Sequence, residues 1–261
     1  MKNNDIKTLE ERARTVIKDN ALIQQTISSL SVKSQKMLLY LISRIKPDTK
    51  ITDGILLDYD VLCDVCGISR HPKNISDFRA SLKELMQPNS YYIGKYEEIW
   101  AWIVYTKLEF QDEHGHINSN PKQVMITFNP ALEAKLIDLR NKFTSYVLEN
   151  ILVLDTKYSI RLYELLSSYK NLTQKEFDFE DLKDLLQSPD YDWDKFREKI
   201  LKPSTEDINI YTDLNIDYTS IKNGRRIASV FFEIKTKTSI ENIEAMTNRL
   251  RKFSTNTKPQ K

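Results

Sequence analysis

The same order of elements occurs twice along this chain, and that order leaves few folds open. In each half, short segments with apolar residues at i, i+3, i+4 and i+7 lead into two runs rich in aromatic and β-branched residues with a polar turn between them. In the first half Ser31 stands at an N-cap position, and Leu38, Leu41, Ile42 and Ile45 make one apolar face of a helix that Pro47 stops. After an apolar run over 51–57, Asp58 caps a helix carrying Tyr59, Leu62 and Val65, and Gly67 makes the turn. A third helix is predicted over 72–86, with Ile75, Phe78, Leu82 and Leu85 inward. YEEIWAWIVYTKLEF and KQVMITFN then read as two strands joined by DEHGHINSNP.

The second half repeats this. Asn129 and Pro130 start a connecting helix lined by Leu132, Leu136, Leu139 and Phe143. A helix over 158–169 carries Leu162, Leu165, Leu166 and Tyr169, and another from Asp178 carries Leu182, Leu185 and Leu186. A third is predicted over 192–202. INIYTDLNIDYTSI and RRIASVFFEI follow as a hairpin joined by KNG. Helix, tight turn, helix and hairpin make a winged helix, so the expected fold class is α+β with two tandem winged-helix domains, each a helix-turn-helix with a β-hairpin wing. The expected divisions are an N-terminal helix or arm over 1–19, a first winged helix over 20–130, a connecting helix over 131–143, a second winged helix over 144–237, and a C-terminal helix with a basic tail over 238–261. Within the arm, Thr8 and Glu11 read as a capping box opening a helix to Lys18.

Composition narrows the function classes. With only 5 glycines and no glycine-rich motif, the chain lacks the phosphate cradles of nucleotide-binding sites. A formal charge of +2, from 39 basic and 37 acidic residues, means that any nucleic-acid surface must come from local segregation of charge. No apolar run approaches the roughly 20 residues of a membrane span. Two cysteines, Cys63 and Cys66, are too few for a disulfide framework and fit a reducing compartment, so a cytoplasmic protein away from membranes is expected.

On a wheel of about 100° per residue, Phe196, Ile200 and Leu201 of DWDKFREKILK fall on the side of Trp193, while Lys195, Lys199 and Lys202 fall opposite. Arg197 sits beside the core, placed to reach DNA or to pair with an acid. Three ammonium groups facing away from the core suit a phosphate backbone or a solvated face that Asp194 and Glu198 share. Lys222, Arg225 and Arg226 cluster at the second hairpin tip around Asn223 and Gly224, a second basic element in the same domain. The third helix of the first half has a mixed face, with Lys73, Ser76, Ala80 and Glu84 outward and Arg79 and Lys83 on its flank; it suits phosphate or protein contact.

Two other arrangements invite enzymatic or metal readings. Cys63 and Cys66 form C-x-x-C, and His114 and His116 form H-x-H, a possible zinc set. The cysteines fall inside an amphipathic helix and suit packing, and no βαβ pattern supports a redox motif. The histidine pair is also similar to the metal-holding pair of rolling-circle nicking enzymes, but lies in a polar turn rather than an apolar strand.

The chain resembles the theta-type plasmid initiator Rep family, iteron-binding initiators with two winged-helix domains. The residues that carry this are NPALEAKLIDLRNKFTSYVLENILVLDTKYSIRLYELLSSYKN, in which KYSIRLYELL is close to the family's entry into its second winged helix; FREKILKPSTEDIN, matching its recognition helix; and, more loosely, NALIQQTISSLSVKSQKMLLYLISRI. The resemblance implies a protein that binds direct repeats in double-stranded origin DNA as a monomer, helps open the origin, and recruits the host initiator and replicative helicase. As a dimer it would repress its own gene, with the first domain serving dimerisation and accessory DNA contact. Lys195, Arg197, Lys199 and Lys202 would lie on the recognition helix, and Lys157 and Arg161 at the start of the KYSIRLYELL helix, whose N-terminus suits a phosphate. No cofactor, metal or active site is implied, and the protein is expected not to be an enzyme. A transcriptional regulator with two winged helices is the alternative, since fold does not fix role.

Overall fold

A computed structural model describes residues 3–27, 30–46, 50–71, 74–93, 95–111, 114–137 and 142–256. The chain divides into two compact units, Met1–Leu152 and Val153–Lys261. The first opens with α1 (Asn3–Arg12) and β1 (Thr15–Asp19). Thr8 and Glu11 therefore do not open a helix to Lys18. Both are buried within α1, and the β-branched run from Thr15 leaves the helix for a strand paired antiparallel with β8 (Phe143–Val147).

That pairing moves the division between the units. It ties 143–147 to the start of the chain, so residues 144–152, which include α7 (Glu149–Leu152), belong to the first unit, and the boundary follows Leu152 rather than lying at 131–143. Of the expected connecting helix, the described residues contain a 3₁₀ turn, Pro130–Leu132, and α6 (Glu133–Leu136). Asn129 caps the turn as expected, accepting from the Ala131 N–H at 3.0 Å. Phe143 is an exposed strand residue, and Leu139 lies outside the described residues.

Within the first unit, α2 (Asn20–Gln25) and β2 (Thr26–Ile27) precede α3 (Val32–Ser43), which Ser31 caps. Next come β3 (Ile55–Asp58), α4 (Tyr59–Cys66) and α5 (Ile75–Leu85), then β4 (Asn89–Ile93), β5 (Tyr96–Trp100), β6 (Ile103–Glu109) and β7 (Gln123–Phe128). The run 96–110, expected as one strand, is divided between two sheets. β5 joins β2–β4–β5 and β6 joins β3–β7–β6. At the break Trp100 and Trp102 meet edge to face, their centroids 4.9 Å apart, and both indoles are buried.

In the second unit, α8 (Lys157–Ser167) leads to β9 (Gln174–Asp178) and α9 (Phe179–Leu186). A continuous helix follows, made of α10 (Trp193–Phe196), a π turn (Arg197–Leu201) and α11 (Lys202–Tyr211). The hairpin β10 (Leu214–Asn223) and β11 (Arg226–Thr236) joins β9 in the order β10–β11–β9, and α12 (Ser239–Asn256) is the last element among the described residues. Residues 208–211, expected as strand, are helical.

The two units share one local plan. Ser31 caps α3 and Thr156 caps α8, and they pair with Ser34 and Ser159, respectively. Asp58 and Asp178 each end a strand and cap the next helix, accepting from Val61 N at 3.1 Å and from Glu180 N at 2.8 Å. Each of those helices closes on a left-handed residue, Gly67 at φ 67° and Gln187 at φ 53°. Each starts with an aromatic ring set edge to face against the third helix: Tyr59 on Phe78 at 5.0 Å and Phe179 on Phe196 at 5.3 Å. No helix among the described residues is long and apolar enough to cross a membrane.

Candidate nucleic-acid interface

The second unit's third helix starts where Asp192 accepts the Lys195 N–H at 2.9 Å. Phe196, Ile200, Leu201, Ser204 and Ile208 are buried along it, each large apolar side chain contributing roughly 1.5–3 kcal/mol on burial. Helix continuation past Pro203 has a local cause. Pro203 has no N–H to offer the Lys199 carbonyl, and its ring would press on that carbonyl in a regular α-helix. Immediately before it the backbone widens, and Lys202 N–H reaches back five residues to the Arg197 carbonyl. A uniform wheel therefore misplaces residues beyond 197, although Lys199 and Lys202 still end exposed.

Lys195, Lys199 and Lys202 all face solvent. Among the described residues no carboxylate pairs with Lys199 or Lys202, while the Lys195 ammonium sits 4.7 Å from the centre of the Tyr191 ring. Arg197 resolves toward the acids: its guanidinium is 3.1 Å from Glu198 and 3.8 Å from Asp194. These pairs neutralise Arg197 and take Glu198 away from the lysines.

The wing turns at Gly224 and Arg225, with Asn223 opposite Arg226 in register and Gly224 at φ 64°. A bulge at Ile221/Lys222 shifts the register just before the tip and re-aims the strand. Lys222, Arg225 and Arg226 are exposed there. They line one cleft with Arg197, Trp193 and Ser220, against Glu180 and Asp194. The fold thus brings the third helix of the second unit and the wing, separate in sequence, to one cleft, with four cationic side chains and two carboxylates lining it.

The other sequence-predicted residues are placed differently. Lys157 and Arg161 turn toward the C-terminal carbonyls of α9, reaching Gln187 O at 3.5 Å and Leu185 O at 3.0 Å. There they hold α8 and α9 together and complement a helix C-terminus. In the first unit Arg79 lies over the Phe110 ring at 5.8 Å, and Lys83 is exposed. Asp77 and Glu84 of the same helix are taken by Lys33 and the Ser31 N–H. Lys73 lies outside the described residues. Arg70 pairs with Asp60 and Asp64.

The cysteines are buried in α4, and burial pushes the Cys63 thiol up to about 12, far from the thiolate a metal requires. His114 and His116 are exposed on the β6–β7 loop, and among the described residues no three His, Cys, Asp or Glu side chains gather as a metal set. Sequence reasoning did not single out Tyr191, which lies under Lys195, or Ser220 in the cleft.

The family described as "Initiator Replication protein, WH1" matches residues 15–167, and "Initiator Rep protein, WH2" matches 178–234. The chain belongs to the initiator Rep protein family. The WH1 match runs past the structural division and into α8, whereas β9, α9, the recognition helix and the wing all fall within the WH2 match. A replication initiation protein of Escherichia coli is 24% identical over 160 residues, covering 58% of this chain and 46% of the relative, so the chain aligns with about half of that protein's length. The fold is that of a solved Pi initiator protein in complex with iteron DNA, with a TM-score of 0.67 at 17% identity over 87% of this chain and 99% of that one. Domains 2 and 3 of RctB align with a TM-score of 0.49 at 12% identity, over 82% of this chain and 86% of that one.

Proposed function

We propose that this initiator family member starts plasmid replication by binding repeated sites in double-stranded origin DNA, with the second unit as the main reader. The observation that carries the reading is the cleft where the cationic wing tip faces the start of the recognition helix. The exposed helix face bearing Lys195, Lys199 and Lys202 enters the major groove, while Lys222, Arg225 and Arg226 hold the neighbouring backbone. Lys157 and Arg161 position the helix-turn-helix. Arg79 and Lys83 of the first unit add backbone contact. Several copies on adjacent repeats offset the cost of bending and unstacking an A·T-rich stretch, so opening needs no active site or cofactor.

The reading extends to self-association through the first unit, repression of the protein's own gene, recruitment of a host initiator and helicase, and action in the cytoplasm beside the plasmid. Tyr96 and Ile99 on β5 and Val104 and Tyr105 on β6 support a contact role for the first unit, since all four are exposed on strands at sheet edges. Gel-shift titration on the DNA flanking the gene tests the main claim. Stepwise binding to short direct repeats beside an A·T-rich stretch is the expected result; binding confined to an inverted repeat at a promoter makes the protein a regulator. Nicking of supercoiled origin DNA with Mg²⁺ would make it a nuclease.

A further inference from the structure

The last helix, α12, is packed with its polar side inward. Toward the second unit it turns Ala245, with Arg249 donating to Tyr211 O at 2.8 Å and Lys252 paired to Asp155 at 2.6 Å. Its apolar residues face the other way: Ile240 is 80% exposed, Ile243 67%, Met246 50% and Leu250 43%. This inverts the usual amphipathic arrangement, in which the apolar stripe faces the core. Four large apolar side chains along one helix face, each exposed among the described residues, form a contact surface.

The spacing within the helix says what fits. Ile240, Ile243, Thr247, Leu250 and Ser254 follow a 3-4-3-4 pattern, the seam along which two helices interlock. Glu244 and Arg251 lie one residue beyond seam positions, on the same flank; both are exposed, and Glu244 acts on the charge of Lys237 in its own unit. When a second α12 is laid antiparallel so that Thr247 faces Leu250 of the partner subunit, Glu244 falls opposite Arg251 of the partner subunit. On the other flank Met246 falls beside Phe253 of the partner subunit. A two-fold axis repeats both contacts, so one helix carries both halves of a self-complementary surface.

We infer that α12 is a self-association helix, pairing antiparallel with α12 of a second copy of this chain. Its contact is independent of DNA binding and separate from the sheet edges of the first unit. One helix pair is small beside a standard interface of roughly 1,600 Å², so association depends on concentration.

Sedimentation equilibrium of the full chain without DNA tests this. Glu244→Arg alone sets like charges together twice in the pair and should weaken association by about tenfold, as should Arg251→Glu. Combining the two exchanges restores opposite charges and should return association to the parent level, and Ile243→Ser with Leu250→Ser should abolish this contact. All these positions are exposed, so circular dichroism and repeat binding by the monomer should not change. A chain monomeric at every concentration overturns the inference, as does a dimer indifferent to the exchanges. Failure of the origin-binding reading would instead show as lost repeat binding with the charge-exchange pattern intact.

Discussion

The rings of Phe179 and Phe196 meet edge to face, 5.3 Å apart at 78°, and join the first residue of α9 to the recognition helix. Trp193 closes on the same Phe179 ring at 5.6 Å. One side chain therefore sets the angle between the two arms of the helix-turn-helix and forms one wall of the cationic cleft. Phe179→Ala should destabilise the second unit by about 3 kcal/mol through lost burial and a residual cavity, with Phe179→Leu costing about 1 kcal/mol. Denaturant unfolding followed by Trp193 fluorescence measures both. Repeat affinity should fall for Phe179→Leu even where the protein remains folded; unchanged affinity would mean that this joint does not orient the helix.

Lys195 and Lys199 give the electrostatic prediction. Each contact with phosphate releases counterions, so Lys195→Ala with Lys199→Ala should flatten the dependence of log affinity on log salt by about 1.8, from about 0.9 per contact. Equal loss on all repeat variants marks backbone contacts, whereas loss at one base position marks direct readout. Arg197→Ala should have a smaller effect than either lysine, because Glu198 and Asp194 already hold its charge.

Much of this site was legible in the sequence because its determinants are local. The Asp58 and Asp178 caps, the leucines at helical spacing and the wing turn at Gly224 each act over a few residues, so the two helix-turn-helix cores and the wing could be read directly. The rest depended on distant partners or on an irregular stretch of backbone. β1 is a strand because β8, more than 120 residues away, pairs with it; the short β-branched run Thr15, Val16 and Ile17 did not by itself outweigh the capping-box pattern before it. β9 is short and polar, with Phe177 as its one buried residue, and is a strand because β11 covers it. Helix continuation through Pro203 hid behind the rule that proline ends helices, which the π turn circumvents. The direction of Arg161 toward Leu185 was likewise invisible until α9 was placed.

Glu11 gives the first unit an acid-sensitive joint. Burial by itself would raise its pKa, but hydrogen bonds and charge from Arg14 and Arg44, both 2.6 Å away, win and hold the carboxyl below its ordinary value. Tyr40 adds a hydrogen bond to the same carboxylate at 3.0 Å. A lowered folded pKa contributes stability above the unfolded pKa, and that stability is lost as pH falls through the folded value. The first unit should therefore weaken below the ordinary glutamate range, and Glu11→Gln should remove this part of the pH dependence. It should also cost about 2 kcal/mol at neutral pH, the arginines being partly solvated. Thermal melts from neutral pH down to pH 3 on both proteins decide it; parallel curves would exclude Glu11 as the source.

Gln187 offers a gain instead. It closes α9 at φ 53°, where Gly67 stands in the first unit, and non-glycine residues are strained in that region. Its backbone is well used: the N–H donates to Asp184 O at 3.0 Å and the carbonyl accepts from Lys157 at 3.5 Å, and glycine keeps both. Its side chain makes one bond, from Nε2 to Asp184 O at 3.1 Å at an exposed site, which contributes little against water. Relief of the left-handed strain exceeds that loss and the added chain entropy of glycine. Gln187→Gly should thus stabilise the second unit by about 0.5–1 kcal/mol with repeat affinity unchanged, because the turn between α9 and the recognition helix keeps its geometry. Chemical denaturation of the two proteins side by side measures the difference, and a loss of stability would show that the side-chain bond outweighs the backbone strain.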